Sequence, residues 1–254
     1  MTDSDRSFVD VHLHADGVAE IRLARPERRN ALGVVVLNAL REALDEVNSA
    51  GSRAVVLSAE GSVFSAGADF ADLTGTSSDV EYDSHVQGIA DAIAASRAPV
   101  IAAVDGPCLG ASVDVVSACD LVVASSAARF EVPAARLGIL YNPSSVARMH
   151  RTLPRNFVRL LFMGISVPAA DAFALGALAR LVEEDARAES LKIAAVVSAS
   201  QPDAMSAIRS LLRLLDADKV AEVSSFQAVR RELLDSPGRS AALAQARNTV
   251  GDKS

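Results

Sequence analysis

The chain has 254 residues, with 25 Lys and Arg against 32 Asp and Glu, for a net charge of −7. Half of it is hydrophobic and 22% is charged, which excludes intrinsic disorder and supplies enough apolar surface for a self-sufficient core. An acidic chain is also a poor match for a nucleic-acid backbone, and its two cysteines cannot build a disulfide framework or a structural zinc site.

The start, Met1 to Asp10, is polar and acidic and lacks the basic and apolar regions of a signal peptide. No run of 18 apolar residues occurs, so no membrane span is expected. Together with the cysteine usage, this gives the expectation of a cytoplasmic, reducing environment.

Phe8 to His14 alternates in polarity, Asp16-Gly17 supplies a turn, and Val18 to Leu23 alternates back, which predicts a hairpin. Arg25 to Asn30 is a polar loop, and Val34, Leu37, Leu40, Leu44 and Val47 have the spacing of an amphipathic helix. Arg53 to Ser58 is a short apolar run, as in a strand buried on both faces. Small residues fill Gly61 to Ala71, and Thr74 to Asp83 is polar. A helix is predicted from Tyr82 to Ser96, then a second buried strand from Pro99 to Val104.

Gly106 to Gly110 reads as a turn, Ala111 to Ala118 as a short helix, and Asp120 to Ala124 as a third strand. Ala128 to Val132 is a candidate fourth strand. Beyond Pro143 nearly everything reads as helix, broken at Pro154, Pro168, Pro202 and Pro237. Strands alternating with helices over the first 135 residues predict an α/β fold with covered sheet faces.

No dinucleotide-binding, P-loop or zinc-protease signature is present. His12 and His14 share one strand face but lack a third ligand, so no metal site is expected. Gly106-Pro107-Cys108-Leu109-Gly110 imitates a nucleophile elbow with cysteine for serine. No histidine is visibly paired with it, so a buried thiol in a tight turn is the preferred reading. Two other turns are more informative. Phe64 to Phe70 and Gly110-Ala111-Ser112 each place small residues where a strand gives way to a helix, exposing unpaired backbone N–H groups. Two such donors converging on one point make an oxyanion hole.

Arg25-Pro26-Glu27-Arg28-Arg29-Asn30-Ala31-Leu32, Phe64-Ser65-Ala66-Gly67-Ala68-Asp69, Ala103 through Gly110, and Cys119-Asp120-Leu121 occur in that order. In order and spacing these segments resemble the enoyl-CoA hydratase/isomerase (crotonase) superfamily, from about Val9 to Val182. The resemblance implies a spiral of ββα units over residues 1–198 and a C-terminal helical oligomerisation region over 199–254. It implies a homotrimer or homohexamer acting on an acyl-CoA thioester, with coenzyme A part of the substrate and no separate cofactor. By position, the oxyanion-hole donors belong to Ala68 and Ala111. The adenine pocket falls to Ala66, Ala68, Asp69 and Phe70, and the CoA phosphates to Arg25, Arg28 and Arg29.

In hydratases of this superfamily two glutamates act on a water molecule. Their positions correspond here to Asp114 and Ala134, and Ala134 has no proton to move. Glu131 lies three residues too early to substitute, and the position of an acid used by other members is Asn142. Pro107 and the Ala111-Ser112 pair, where many relatives have glycines, leave less room near the thioester. Leu137-Gly138-Ile139-Leu140-Tyr141-Asn142 is similar to a segment of methylmalonyl-CoA decarboxylases in the superfamily, which makes Asp114 and Tyr141 the candidate catalytic residues. A decarboxylase acting on a malonyl-type thioester is the leading expectation. The alternatives are a hydratase or isomerase using Asp114 alone, and a non-catalytic acyl-CoA-binding protein.

Overall fold

The computed structural model describes residues 8–217 and 219–243. The polar start, and the part of the predicted C-terminal helical region beyond residue 243, therefore lie outside the described residues. The predicted hairpin forms: β1 (Val9–Leu13) pairs antiparallel with β2 (Val18–Leu23). From β2 onward every step in the main sheet is parallel, made by helical crossovers. β2 leads through α1 (Val34–Ser49) to β3 (Ala54–Ala59), and β3 through α2 (Val80–Ala95) to β4 (Val100–Val104). Then β5 (Pro107–Leu109) and α3 (Ala111–Ser117) precede β6 (Leu121–Ser125). The order across the six strands is β1-β2-β3-β4-β6-β9, where β9 is Arg180–Val182.

Strand β3 shows why both faces of this sheet are covered. Val55 and Leu57 join the large core shared with α1, α2 and α3, while Ala54 and Val56 join a smaller core beneath α7 (Ala186–Ser198). Successive strand side chains point to opposite sides, so an unbroken apolar run has to be buried twice. Helix α1 buries Val36, Leu37, Leu40, Ala43, Leu44 and Val47, one stripe at helical spacing. Its N-terminus has no local side-chain cap; the amide of Val34 instead donates to the Asp72 carboxylate at 2.7 Å.

Three short strands correct the sequence reading. The predicted turn Gly106–Gly110 contains β5, which pairs with β7 (Arg129–Glu131), and β7 pairs with β8 (Val167–Pro168) in a second, three-stranded sheet. β9, in a stretch read as helix, closes the edge of the main sheet against β6. Strands of two or three residues carry no readable period; their partners define them.

Further helices are α4 (Pro143–Thr152), α5 (Arg155–Phe162), α6 (Ala169–Ala174), α8 (Pro202–Asp216) and α9 (Phe226–Leu234). Arg209 of α8 fastens this region to the spiral. Its buried guanidinium pairs with Asp120 at 2.8 Å and donates to the carbonyls of Ile93, Ala94 and Ser96. Asp120 also accepts from the amide of Val100, joining the edge of β4 to α8 through one carboxylate. Among the described residues, no helix is long and apolar enough to cross a membrane.

Candidate active site

The two small-residue turns are brought into contact by the chain around them. In the first, Leu32 donates to the Gly67 carbonyl (2.7 Å) and accepts from the Asp69 amide (3.5 Å). Residues 67 and 69 thus face Leu32, and the amide of Ala68 between them faces the other way. In the second, Gly110 donates to the Glu131 carbonyl and Val113 to the Gly110 carbonyl, leaving the amide of Ala111 at the first position of α3. Among the described residues, neither the Ala68 nor the Ala111 amide has a hydrogen-bond acceptor.

Gly67 is where the turns meet. Its φ is +85°, and a Cβ there would lie 2.5 Å from the Leu109 carbonyl oxygen and 3.4 Å from the Ala111 nitrogen. Ser112, one of the residues replacing glycine in this segment, reinforces the junction. Its hydroxyl lies 2.8 Å from the Leu109 carbonyl oxygen and 3.3 Å from that of Ser65. Two unpaired donors on touching backbones can hold the oxygen of a thioester carbonyl and its enolate.

Asp114 requires a correction. The expectation of a free catalytic acid fails because the side chain is 2% exposed and is held by two partners. One oxygen pairs with the guanidinium of Arg148, the other accepts from the Ser145 hydroxyl at 2.5 Å, and both partners come from α4. A buried carboxylate with both partners on one neighbouring helix joins α3 to α4, and removing either partner would leave it uncompensated. Ala134 is buried and inert, and Glu131 is tied to Arg136. Asn142 uses its side chain to cap α4, accepting from the Ser144 amide at 3.0 Å.

Tyr141 stands at the junction itself. Its hydroxyl lies 3.4 Å from the carbonyl oxygen of Gly110, immediately before the second donor, and its ring packs on Phe162. Burial, then the nearby Tyr82 and Asp83, push its pKa above the ordinary tyrosine value, so it serves as a hydrogen-bond donor and not as a phenolate. Cys108 is fully buried, its thiol 3.3 Å from the Ser112 hydroxyl and its pKa pushed up by burial to about 12. That environment suppresses the thiolate a nucleophile needs.

The arginine loop lies beside the first turn. Arg25 and Arg28 approach Asp69 at 3.7 and 3.9 Å, and Arg25 also approaches Glu27. Arg29 is exposed and forms no ion pair among the described residues, while its carbonyl accepts from the Ala66 amide. The loop is therefore less basic than three arginines suggest. Ala66, Ala68 and Asp69 are half-buried, and the Phe70 ring is 71% exposed.

Asn30 holds this loop in place, and sequence reasoning passed over it. Wholly buried at φ +51°, it accepts from the Arg25 amide and donates to the carbonyls of Glu60 and Val63. Its signal in sequence is an asparagine closing a charged loop, where asparagine tolerates left-handed backbone. Arg148 and Ser145 carried no local signal, since their partner lies more than thirty residues earlier.

A model of the enoyl-CoA hydratase/isomerase family matches residues 14–238. This chain belongs to that family. Among curated relatives, the mitochondrial enoyl-CoA hydratase domain-containing protein 3 of Mus musculus is 33% identical over 189 residues. The match covers 72% of this chain and 63% of that protein, so the chain spans under two thirds of that relative's length. The methylmalonyl-CoA decarboxylase of Escherichia coli strain K12 is 30% identical over 227 residues, covering 86% of this chain and 87% of that enzyme. Among solved structures, an enoyl-CoA hydratase/carnithine racemase from Magnetospirillum magneticum superposes with a TM-score of 0.86 at 26% identity, covering 95% of each chain. The spiral described above is thus the crotonase fold of this family.

Proposed function

We propose that this family member removes carbon dioxide from a malonyl-type acyl-CoA thioester. The observation that carries this reading is the engagement of Asp114 by Arg148 and Ser145, with Ala134 at the second acid position. Hydration needs a carboxylate to activate water and another group to move its proton. Loss of carbon dioxide needs neither, and the enolate it leaves takes one proton from water to give the saturated thioester. That loss needs the developing enolate stabilised, which the Ala68 and Ala111 amides supply, and the departing carboxylate oriented, which falls to the Tyr141 hydroxyl. Similarity to the decarboxylase of Escherichia coli over most of both chains supports the reading.

In this reading Arg29, with Arg25 and Arg28, meets the CoA phosphates, and Phe70 meets the adenine. The chain assembles as a homotrimer or homohexamer through its C-terminal helices. Ile208, Leu212 and Leu215 of α8, each at least 43% exposed, support that assembly. Methylmalonyl-CoA incubated with the purified protein is expected to yield propionyl-CoA and carbon dioxide, followed by mass spectrometry, with turnover lost in Tyr141→Phe. Absence of turnover on every malonyl-type thioester would refute it, and consumption of crotonyl-CoA instead would restore the hydratase alternative. Light scattering reads the oligomeric state.

A further inference from the structure

The Ala68 donor is only as well aimed as the segment that holds it, and that segment is Leu32. Leu32 is 1% exposed and pairs with Ala68 in an isolated parallel bridge, so its amide and carbonyl grip the turn on either side of the donor. On one side the Leu32 amide donates to the Gly67 carbonyl at 2.7 Å, a firm bond. On the other, the Asp69 amide reaches the Leu32 carbonyl only at 3.5 Å, beyond the usual range of about 2.7–3.2 Å. A buried carbonyl with that bond alone would be poorly satisfied and free to tilt.

The Leu32 carbonyl has a second and shorter partner, 50 residues on. The hydroxyl of Tyr82, in the first turn of α2, donates to it at 2.8 Å. Tyr82 is buried in the large core together with Val86, Ile89, Ala90 and Ile93 of the same helix. Its hydroxyl therefore stands on a base fixed by packing. Asp72 supports the same segment, its carboxylate accepting from the Val34 amide, two residues beyond Leu32, at 2.7 Å. The chain that leaves the first turn thus returns twice to the segment that pairs with it.

We infer that Tyr82 is a positioning residue for the oxyanion hole: its hydroxyl fixes the Leu32 carbonyl, Leu32 fixes residues 67 and 69, and the Ala68 amide between them is held toward the thioester oxygen. The inference rests on the enolate reading above, whichever bond is broken at the neighbouring carbon. Tyr82→Phe keeps the ring and its packing and removes only the shorter of the two bonds to the Leu32 carbonyl. A displaced donor still permits substrate binding through the CoA portion, but it polarises the carbonyl less.

The carbonyl itself reports on this. Propionyl-CoA carrying carbon-13 at the thioester carbon is bound to the protein, and its carbonyl stretch is read by isotope-edited infrared spectroscopy. The wild type is expected to lower that frequency relative to free propionyl-CoA, and Tyr82→Phe to lose at least half of the shift. Circular dichroism and propionyl-CoA affinity should stay unchanged. With methylmalonyl-CoA, kcat should fall by up to about 10²-fold at nearly constant KM, the scale of a misplacement near 1 Å. Replacing Tyr82 by para-aminophenylalanine, which keeps a donor on the ring, should restore the shift. A wild-type shift in Tyr82→Phe overturns the inference, and so does failure of para-aminophenylalanine to restore a lost one. A shift that depends on Tyr82, without carbon dioxide from methylmalonyl-CoA, upholds Tyr82 and removes the decarboxylase reading alone. A wild type that binds propionyl-CoA without shifting its carbonyl removes the oxyanion hole and the inference with it.

Discussion

Replacing Arg148 by methionine tests whether Asp114 is structural. The Arg148 side chain is 15% exposed and that of Asp114 2%, so solvent does little to screen the pair. Methionine keeps much of the side-chain volume but leaves a buried carboxylate with the Ser145 hydroxyl as its only remaining side-chain partner among the described residues. Removing one member of such a pair costs about 3–5 kcal/mol. For a chain of this size each kcal/mol moves the melting temperature by roughly 2–4 °C, so a drop of about 6–20 °C is expected by calorimetry. Adding Asp114→Leu should recover much of the loss, because the uncompensated charge is then gone. A drop of under about 2 °C for Arg148→Met would show that Asp114 does not depend on this partner, returning it to the list of candidate acids.

Three further outcomes follow from the geometry. Gly67→Ala places a methyl group 2.5 Å from the Leu109 carbonyl at a φ of +85°, so the turns must part; turnover should fall about 10²- to 10³-fold, as on losing one oxyanion donor. Unchanged turnover would mean that the two amides do not act together. Glu20, buried in β2, accepts from Arg187 twice at 2.6 Å and from Ser58 at 2.6 Å. Burial alone would raise its pKa, but the Arg187 and then the Ser58 hydrogen bonds lower it on balance below the ordinary 4.5. The carboxylate's contribution is therefore complete above about pH 4.5 and lost as pH falls through the depressed value. The deficit of Glu20→Gln in denaturant melts, about 1–3 kcal/mol at pH 7 and toward the low end because Arg187 is 41% exposed, should shrink as the pH is lowered below 4.5. Finally, native protein should leave Cys108 unlabelled by iodoacetamide, and Cys108→Ala should retain turnover. Protection of activity from the reagent by substrate would contradict that.

Much of the architecture was legible because it depends on runs long enough to have a period. The α1 stripe and the two-sided burial of β3 and β4 are patterns in neighbouring residues, and backbone geometry converts them directly into elements. The glycines and alanines at the two turns were legible for a similar reason, since only small residues allow strands and helices to approach so closely. β5, β8 and β9 were not, because strands this short exist through partners far along the chain.

The candidate site divides along the same line. Sequence by itself determined that Ala134 has no proton to give, that two small-residue turns lie where strands give way to helices, and which family's motifs the chain carries. Tertiary structure alone decided that Asp114 is sealed by Arg148 and that Asp69 offsets two of the loop arginines. The physical reason is that composition and spacing fix which groups a chain possesses. Whether a charged group is available for chemistry depends on the neighbour that meets it and on how much water remains, and both are set by residues distant in sequence.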